Sequence, residues 1–184
     1  MRPAILVIDM VKDTFLEDHR YPVTPFAKAI VPAINRITAW AREKNYPVVF
    51  ACDSFLEDDF IFKGKMKPHS IMGTAGSEVT DLLDMDPEDT YLPKRRFSAF
   101  FRTHLDQTLK GWGVDTVIVC GIATHFCVLS TGLDAVCCDF SAVFVEDATA
   151  SFSAEAHQNT LDLYRNSPLY PLLRVMNTED VLKL

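Results

Sequence analysis

The sequence predicts an α/β fold, namely a doubly wound, mostly parallel sheet of six strands with helices on both faces. Three observations lead to this prediction. Short runs of apolar and β-branched residues recur along the chain, segments with helical spacing lie between them, and the two kinds of segment alternate. Such alternation is typical of βαβ units, whose parallel strands are covered on both faces. The length of 184 residues fits one domain spanning residues 1–184.

The predicted strands are continuous apolar runs bounded by turn residues or charges, as expected for strands without a solvent face. In chain order they are AILVID (4–9), YPVVFACD (46–53), the weaker TYLPK (90–94), DTVIVCGIA (115–123), SAVFVEDA (141–148) and LLRVM (172–176). Their order fits a sheet whose ligands bind beyond the carboxyl ends of the strands.

Four predicted helices place apolar or small residues on one face at intervals of three, four or seven. These faces are Ile30, Ile34, Ile37 and Ala41; Phe101, Leu105 and Leu109, ahead of the stop at Gly111–Gly113; Val128, Thr131 and Ala135; and Ala154, Thr160, Leu161 and Tyr164. Residues 54–76 show neither the sequence pattern of a strand nor that of a helix. The segment is long for a connection, which favours a lid or a pocket wall.

Composition excludes several classes of protein. With 48% hydrophobic and 23% charged residues the chain is not intrinsically disordered. The net charge of −7 argues against nucleic acids and anionic membranes as partners, since both require clustered cations. The chain shows no signal peptide and no membrane span, so we expect a cytoplasmic protein whose five cysteines are reduced.

Four chemically useful side chains follow predicted strands. Asp9, Asp53 and Lys94 end the first three, and Cys127 lies where the chain leaves the fourth and enters a helix. A thiol at a helix N-terminus beside a lysine is expected to have a lowered pKa, and a nearby carboxylate can accept its proton. Each residue alone has a plainer interpretation, as a buried thiol, a helix cap or a solvated amine. Their joint placement favours a nucleophilic site.

The chain resembles the isochorismatase-like cysteine hydrolases, which include nicotinamidases, N-carbamoylsarcosine amidases and isochorismatases. The resemblance lies in AILVIDMVKDTF, PHSIMGTAGSE, KRRFSAFFRTHL, VCGIATHFCVLSTGLDA and VEDATAS. It implies the doubly wound fold and a catalytic triad of Asp9, Lys94 and Cys127. It also implies a cis peptide between Ile122 and Ala123, and an oxyanion site formed by the N–H groups of Ala123 and Cys127.

The resemblance implies a covalent route to C–N hydrolysis. Asp9 takes the proton of Cys127, the thiolate attacks a carbonyl, the amine leaves, and water hydrolyses the thioester. The fold is compatible with a catalytically silent binding protein too. A flavodoxin-like nucleotide binder is disfavoured, because no glycine-rich phosphate loop follows the first strand.

Departures from the nicotinamidase pattern bear on the metal and the substrate. The Asp-x-His pair of metal ligands is here Asp53-Ser54-Phe55, which leaves Asp53 and His69 as the candidate ligands. Zinc usually has at least three protein ligands, so we expect no cofactor, with zinc as the alternative. His69 is then a hydrogen-bonded loop residue. This favours an enzyme similar to N-carbamoylsarcosine amidase over a nicotinamidase or an isochorismatase.

The remaining predictions concern substrate and partners. Substrates of that branch carry a carboxylate, for which a guanidinium is a natural partner, although each arginine could equally be solvated or ion-paired. The candidate substrate-binding residues are Arg95, Arg96, Arg102, Thr124 and the aromatic side chains Phe15, Phe60 and Phe62. His125 could tune Cys127 or face solvent. The expected partners are a small amide or ureido compound and further copies of the chain in a homo-oligomer.

Overall fold

Six parallel strands form the sheet at the centre of the fold. The computed structural model describes residues 1–16 and 21–184. The strands are β1 (Pro3–Ile8), β2 (Val48–Asp53), β3 (Thr90–Lys94), β4 (Thr116–Ile122), β5 (Ser141–Ala150) and β6 (Leu173–Met176). Their order is β3-β2-β1-β4-β5-β6, and every neighbouring pair is parallel. The predicted α/β fold class is therefore confirmed.

Helices cover both faces of this sheet. They are α1 (Thr24–Glu43), α2 (Leu105–Gly111), α3 (Leu129–Cys137), α4 (Ala154–Arg165) and the short α5 (Thr178–Val181). Residues of α1 and α5 belong to one apolar core, and residues of α2, α3 and α4 belong to the other. All six residues of β1 are buried between the two cores, which explains why its sequence is continuously apolar.

The predicted helix faces are correct for α1 and α3. Ile30, Ile34, Ile37 and Ala41 are buried in α1. Val128, Thr131 and Ala135 are likewise buried at the start and along the inner face of α3. In α4, Leu161 is buried, Thr160 and Tyr164 are half-buried, and Ala154 is exposed.

The prediction for α2 was wrong at its start. Phe101 lies outside the helix with 46% of its surface exposed, and the helix begins four residues later at Leu105. Arg102 has a φ of +56°, in the left-handed region, so the chain cannot be helical there. The hydroxyl of Thr103 donates to the carbonyl of Ala99 at 2.6 Å, which closes the turn instead.

One reversal of direction in the sheet order determines where a ligand can bind. From β1 the chain proceeds outward to β2 and β3, then returns to place β4 on the other side of β1. The carboxyl ends of β1 and β4 therefore flank the crevice at which doubly wound folds bind their ligands. None of the helices within the described residues has the length and apolar character that a membrane span requires.

Candidate active site

Four predicted site residues meet at the carboxyl edge of the sheet. Asp9 directly follows β1, while Asp53 and Lys94 end β2 and β3 and are register partners. Cys127 lies in a π-helix, Thr124–Val128, between β4 and α3. The reactive atoms of Asp9, Asp53 and Cys127 lie within 4.8 Å of one another. Strand order thus brings together residues that are far apart in sequence.

The ammonium group of Lys94 holds the two carboxylates. Its Nζ donates to Oδ2 of Asp9 at 2.9 Å, to Oδ1 of Asp53 at 2.6 Å and to the carbonyl of Arg96 at 3.2 Å. The backbone N–H of Asp53 donates to the other oxygen of Asp9 at 2.7 Å. Because the lysine side chain is fully buried, the cluster forms a fixed array of charges.

Burial and mutual repulsion alter the acidity of this cluster. Burial and then the charge of Asp53 raise the pKa of Asp9 from 3.8 to about 7, against the opposing effect of Lys94. Burial would lower the pKa of Lys94, but the charges of Asp53 and Asp9 outweigh it and hold that pKa well above its usual value. Lys94 is therefore charged at neutral pH, and Asp9 exchanges its proton there.

The expectation of a lowered pKa at Cys127 was wrong. Burial raises the pKa of this thiol well above its usual value, and the charge of Asp9 adds to that, with Lys94 opposing only in part. Cys127 also lies within the π-helix, two residues before α3 begins. The resting form is therefore a neutral thiol hydrogen-bonded to Asp9.

The backbone between β4 and the π-helix presents two amide groups. The bond between Ile122 and Ala123 is cis, as the resemblance implies. The carbonyl of Ala123 accepts from the N–H groups of Phe126 and Val128, at 2.9 and 3.3 Å. Within the described part of the chain, the N–H groups of Ala123 and Cys127 donate to no backbone carbonyl outside regular elements. The resemblance assigns these two amides to an oxyanion site.

Gly121 is more than a simple turn residue. It lies inside β4 with a φ of +102°, and a Cβ there would stand 2.2 Å from the carbonyl oxygen of Ile8. Only glycine lets β4 approach β1 so closely. This approach places the end of β4, and with it the π-helix, beside Asp9.

A cavity of about 560 Å³ opens beside the cluster. Its walls are mainly apolar and aromatic, and its polar groups are few. The lining residues are Asp9, Val11, Thr14, Tyr21, Pro22, Val23, Asp53, Phe55, Lys65, Met66, Lys67, His69, Ser70, Phe97, Ile122, Ala123, Phe126, Cys127 and Phe152. A cavity of this size suits a small organic molecule with a planar or apolar part.

Residues 54–76 form a wall of this cavity, in agreement with one of the two roles predicted for them. Phe55 forms a bridge with Ile71, and the segment contains two short 3₁₀ helices, Phe60–Lys63 and Ala75–Ser77. The ring of Phe62 packs edge-on against Phe55 and His69 without lining the cavity. Phe60 is 71% exposed and does not line it.

The candidate arginines do not line the cavity. Nε of Arg95 and a terminal nitrogen of Arg96 each lie 2.9 Å from the buried carboxylate of Asp59. That carboxylate has a lowered pKa of about 2, chiefly because of its hydrogen bond to Arg95. Arg102 lies over the ring of Phe101 instead. The structure thus favours the ion-pair interpretation of Arg95 and Arg96.

Two further candidates lie away from the cavity. Phe15 packs against the core beneath α1. Thr124 is buried, and its hydroxyl contacts Nδ1 of His157 at 2.8 Å. Neither is brought to the cavity, because a residue close to a catalytic motif in sequence can still face the core.

His125 belongs to an aromatic cluster at the cavity rim. Its ring lies 4.3 Å from that of Phe126 and 5.0 Å from that of Phe152, and it contacts the hydroxyl of Ser151. Burial lowers its pKa. It does not line the cavity, so its structural role is to support the two phenylalanines that do.

The sequence alone did not identify three phenylalanines that line the cavity. Phe97 lies three residues after Lys94, Phe126 directly precedes Cys127, and Phe152 follows β5. All three lie just beyond the carboxyl end of a strand, the position from which Asp9 and Lys94 were found. The same rule applied to apolar residues would have identified them.

The described residues do not fit a zinc site built on Asp53 and His69. Nδ1 of His69 contacts the carbonyl of Lys67 at 2.9 Å. The described group of three possible metal ligands consists of Asp9, Asp53 and Cys127 and excludes His69. Because the ammonium of Lys94 already lies between its two carboxylates, a divalent cation there would face a charged neighbour.

Comparison with known proteins bears on this arrangement. Residues 3–180 match the protein family described as the isochorismatase domain. A protein named as a probable inactive nicotinamidase from Arabidopsis thaliana is 35% identical over 188 residues, covering 96% of this chain and 95% of that protein.

Solved structures agree with the fold. An isochorismatase-like hydrolase from Alkaliphilus metalliredigens has a TM-score of 0.87 and 30% identity, covering 100% of this chain and 98% of that one. N-carbamoylsarcosine amidase from Thermoplasma acidophilum has a TM-score of 0.85 and 30% identity, covering 97% and 98%. Both similarities extend over all the strands that carry the charged cluster.

Proposed function

The chain belongs to the isochorismatase family of hydrolases, and on that premise we propose that it is a cysteine amidohydrolase of small amides or ureido compounds. The observation that carries the proposal is the buried cluster itself. A thiol, a carboxylate with a pKa of about 7 and a fully buried ammonium meet at the floor of a cavity. A catalytically silent binding protein would have no need to bury these charges together.

The proposed reaction begins with proton transfer. Asp9 as carboxylate takes the proton from Sγ of Cys127, and the thiolate attacks the substrate carbonyl. Lys94 keeps the site neutral enough for Asp9 to ionise near pH 7. The oxyanion accepts hydrogen bonds from the N–H groups of Ala123 and Cys127.

The second half returns the site to its starting form. The C–N bond breaks as Asp9 gives its proton to the leaving nitrogen, and a thioester remains on Cys127. Asp9, again a carboxylate, takes a proton from water, whose oxygen attacks the thioester. The C–S bond breaks, the acid leaves, and the sulfur regains its proton from Asp9. Every proton passes through Asp9.

Two substrate classes are supported by different observations. The similarity to N-carbamoylsarcosine amidase favours a ureido acid, whose carboxylate would contact Lys65 and Lys67 in the cavity wall. The second candidate is an aromatic amide of the kind that nicotinamidases hydrolyse. It is favoured by the aromatic rings of Phe55, Phe97 and Phe126 around the cavity.

Ammonia release from a panel of amides tests this proposal. The panel holds nicotinamide, N-carbamoyl amino acids and other ureido acids, assayed with the wild type and with Cys127→Ala. We expect the variant to lose at least about a thousandfold in kcat, because the nucleophile is gone, while its fold persists. The matched control is Cys137→Ala, since Cys137 is exposed at the end of α3 and does not line the cavity.

Two outcomes would contradict the proposal. Normal turnover by Cys127→Ala would remove the thiol from the mechanism. No ammonia release from any amide by the wild type would favour a silent protein on this fold. A chelator in the same assay should have no effect, and strong inhibition would show that a metal takes part.

A further inference from the structure

Ser70 is a buried residue of the cavity wall, and its hydroxyl has no hydrogen-bond partner among the residues that the structure describes. It is 1% exposed, and it lines the cavity that contains Cys127. Its Oγ is one of two buried side-chain polar atoms in the described residues without a partner, the other being Nε of Arg174 on β6. An unpaired buried hydroxyl costs free energy, so such a group calls for a reason.

The backbone holds this hydroxyl firmly in place. The N–H of Ser70 donates to Oδ2 of Asp13 at 2.6 Å, and its carbonyl accepts from the N–H of Phe55 at 3.0 Å. Its φ is +47°, an uncommon value for a residue with a side chain. Two opposed backbone hydrogen bonds thus fix a residue in a conformation it would seldom adopt alone, which positions the side chain.

The buried carboxylates and the thiol of the cavity already have partners. Asp9 and Asp53 are held by Lys94, and the thiol of Cys127 is hydrogen-bonded to Asp9. The hydroxyl of Ser70 joins none of these bonds, so it is separate from the reacting cluster.

We propose that Ser70 is a specificity-determining residue, whose hydroxyl donates a hydrogen bond to an acceptor on the substrate other than the reacting carbonyl. The inference rests on the proposed function, since it requires an amide bound at Cys127. The acceptor is a ring nitrogen or a carboxylate oxygen, the groups that the two candidate substrate classes carry. Binding such a substrate satisfies a hydroxyl that is unpaired in the free protein.

Matched pairs of amides test this directly. Picolinamide, nicotinamide and isonicotinamide differ from benzamide by one ring nitrogen at different positions. N-carbamoylglycine differs from methylurea by a carboxylate. In one of the two sets, we expect the wild type to prefer the acceptor-bearing compound by about tenfold or more in kcat/KM. In Ser70→Ala the ratio of the two kcat/KM values should fall to near unity. The set of compounds in which the wild type shows the preference identifies the acceptor as a ring nitrogen or a carboxylate.

The control variant is Ser77→Ala. Ser77 is also buried in the segment after β2, but its hydroxyl donates to the carbonyl of Thr74 at 2.9 Å and does not line the cavity. We expect Ser77→Ala to melt at a lower temperature with unchanged preference. Ser70→Ala should melt at the same temperature as the wild type or a higher one, because it loses an unpaired hydroxyl.

The inference is overturned if the preference survives in Ser70→Ala, if the wild type hydrolyses amides with no preference, or if Ser77→Ala abolishes the preference equally. If the wild type hydrolyses none of the compounds, the proposed function fails. The inference is then decided by the rise in melting temperature that each compound produces. A larger rise for acceptor-bearing compounds that disappears in Ser70→Ala supports it, and equal rises in both proteins overturn it.

Discussion

Asp9 lies at the point where the sheet, the thiol and the two other charges of the site meet. It has a positive φ of +53° directly after β1, which turns its side chain out of the strand and toward its partners. Its pKa of about 7 reflects burial first and the nearby Asp53 second. A carboxyl group of this kind can both accept and return a proton at neutral pH.

The pH dependence of turnover should therefore report Asp9. In the proposed mechanism its basic form takes the proton of Cys127, so kcat/KM should fall as the pH decreases through about 7. The variant Asp53→Asn removes a charge that raises the pKa of Asp9, and its acid limb should lie at lower pH. Steady-state profiles of the two proteins measure the difference. An acid limb that does not move between them would show that Asp9 is not the titrating base.

Residue positions in the site were more predictable than residue properties. The motif order was sufficient to predict that Asp9, Lys94 and Cys127 lie close together, because parallel strands bring their carboxyl ends together. The sequence could not give the raised pKa of Cys127, since that depends on how deeply the π-helix is packed. It could not reveal Asp59 as the partner of Arg95 and Arg96 either, because that ion pair joins two separate loops.

At the scale of elements, Asp59 connects the cavity wall to the end of β3. Its carboxylate binds both arginines that follow Lys94, and its carbonyl accepts from Phe62 at 3.0 Å. The carbonyl of Arg96 in turn accepts from the ammonium of Lys94. These contacts, called the Asp59 clamp below, therefore hold residues 54–76 and Lys94 in fixed positions relative to each other.

Replacing Asp59 by Asn should loosen that clamp. We expect a melting temperature about 3–8 °C lower at pH 7, because a buried carboxylate loses two charged partners. The pKa of Asp59 is lowered from 3.8 to about 2, so its stabilising effect is present above pH 3.8 and is lost toward pH 2. The difference between the variant and the wild type should shrink over that range in thermal melts.

An exposed ion pair serves as the control for that experiment. Arg36 and Glu179 are 2.8 Å apart with side chains 54% and 65% exposed. Glu179→Gln should change the melting temperature by less than about 2 °C, since exposed pairs contribute little. An equal loss in both variants would mean that the clamp has no special importance.

The contact between β1 and β4 depends on one glycine. Gly121→Ala would place a Cβ 2.2 Å from the carbonyl oxygen of Ile8, and backbone on both sides cannot yield cheaply. We expect a loss of more than about 3 kcal/mol in the free energy of unfolding. Gly111→Ala is the control, as nothing outside its own helix lies within 4 Å, and it should be neutral or stabilising by up to about 1 kcal/mol. Urea denaturation compares the two, and similar midpoints would refute the packing argument.

Elements were predicted well where burial alone decides their sequence. The range predicted for β3 agrees with Thr90–Lys94, and the predicted sixth strand differs from β6 by one residue. The predicted start of α2 was wrong because Arg102 adopts a left-handed conformation that helical spacing of apolar residues does not reveal. The irregular wall at residues 54–76 has no periodicity, so its bridge between Phe55 and Ile71 could not be inferred.

At the scale of the whole molecule, the expected homo-oligomer is the prediction to test. Phe101, Phe126 and Phe152 are each more than 40% exposed, a costly arrangement in water. We expect light scattering to give at least twice the chain mass of 20.7 kDa, with little change at high salt because the exposed groups are apolar. A monomer at micromolar concentration would contradict this expectation.

The central position of β1 has a consequence for the order in which the enzyme becomes competent. β1 pairs with β4 in a register that joins Pro3 to Thr116, so this side of β1 stays unpaired until β4 has been made. The carboxylate of Asp9 emerges long before the sulfur of Cys127. Pairings so distant in sequence form slowly. A nascent or partly folded chain therefore holds the proposed nucleophile and the proposed base apart, and the return of the proposed activity on refolding should mark the joining of the two halves of the sheet.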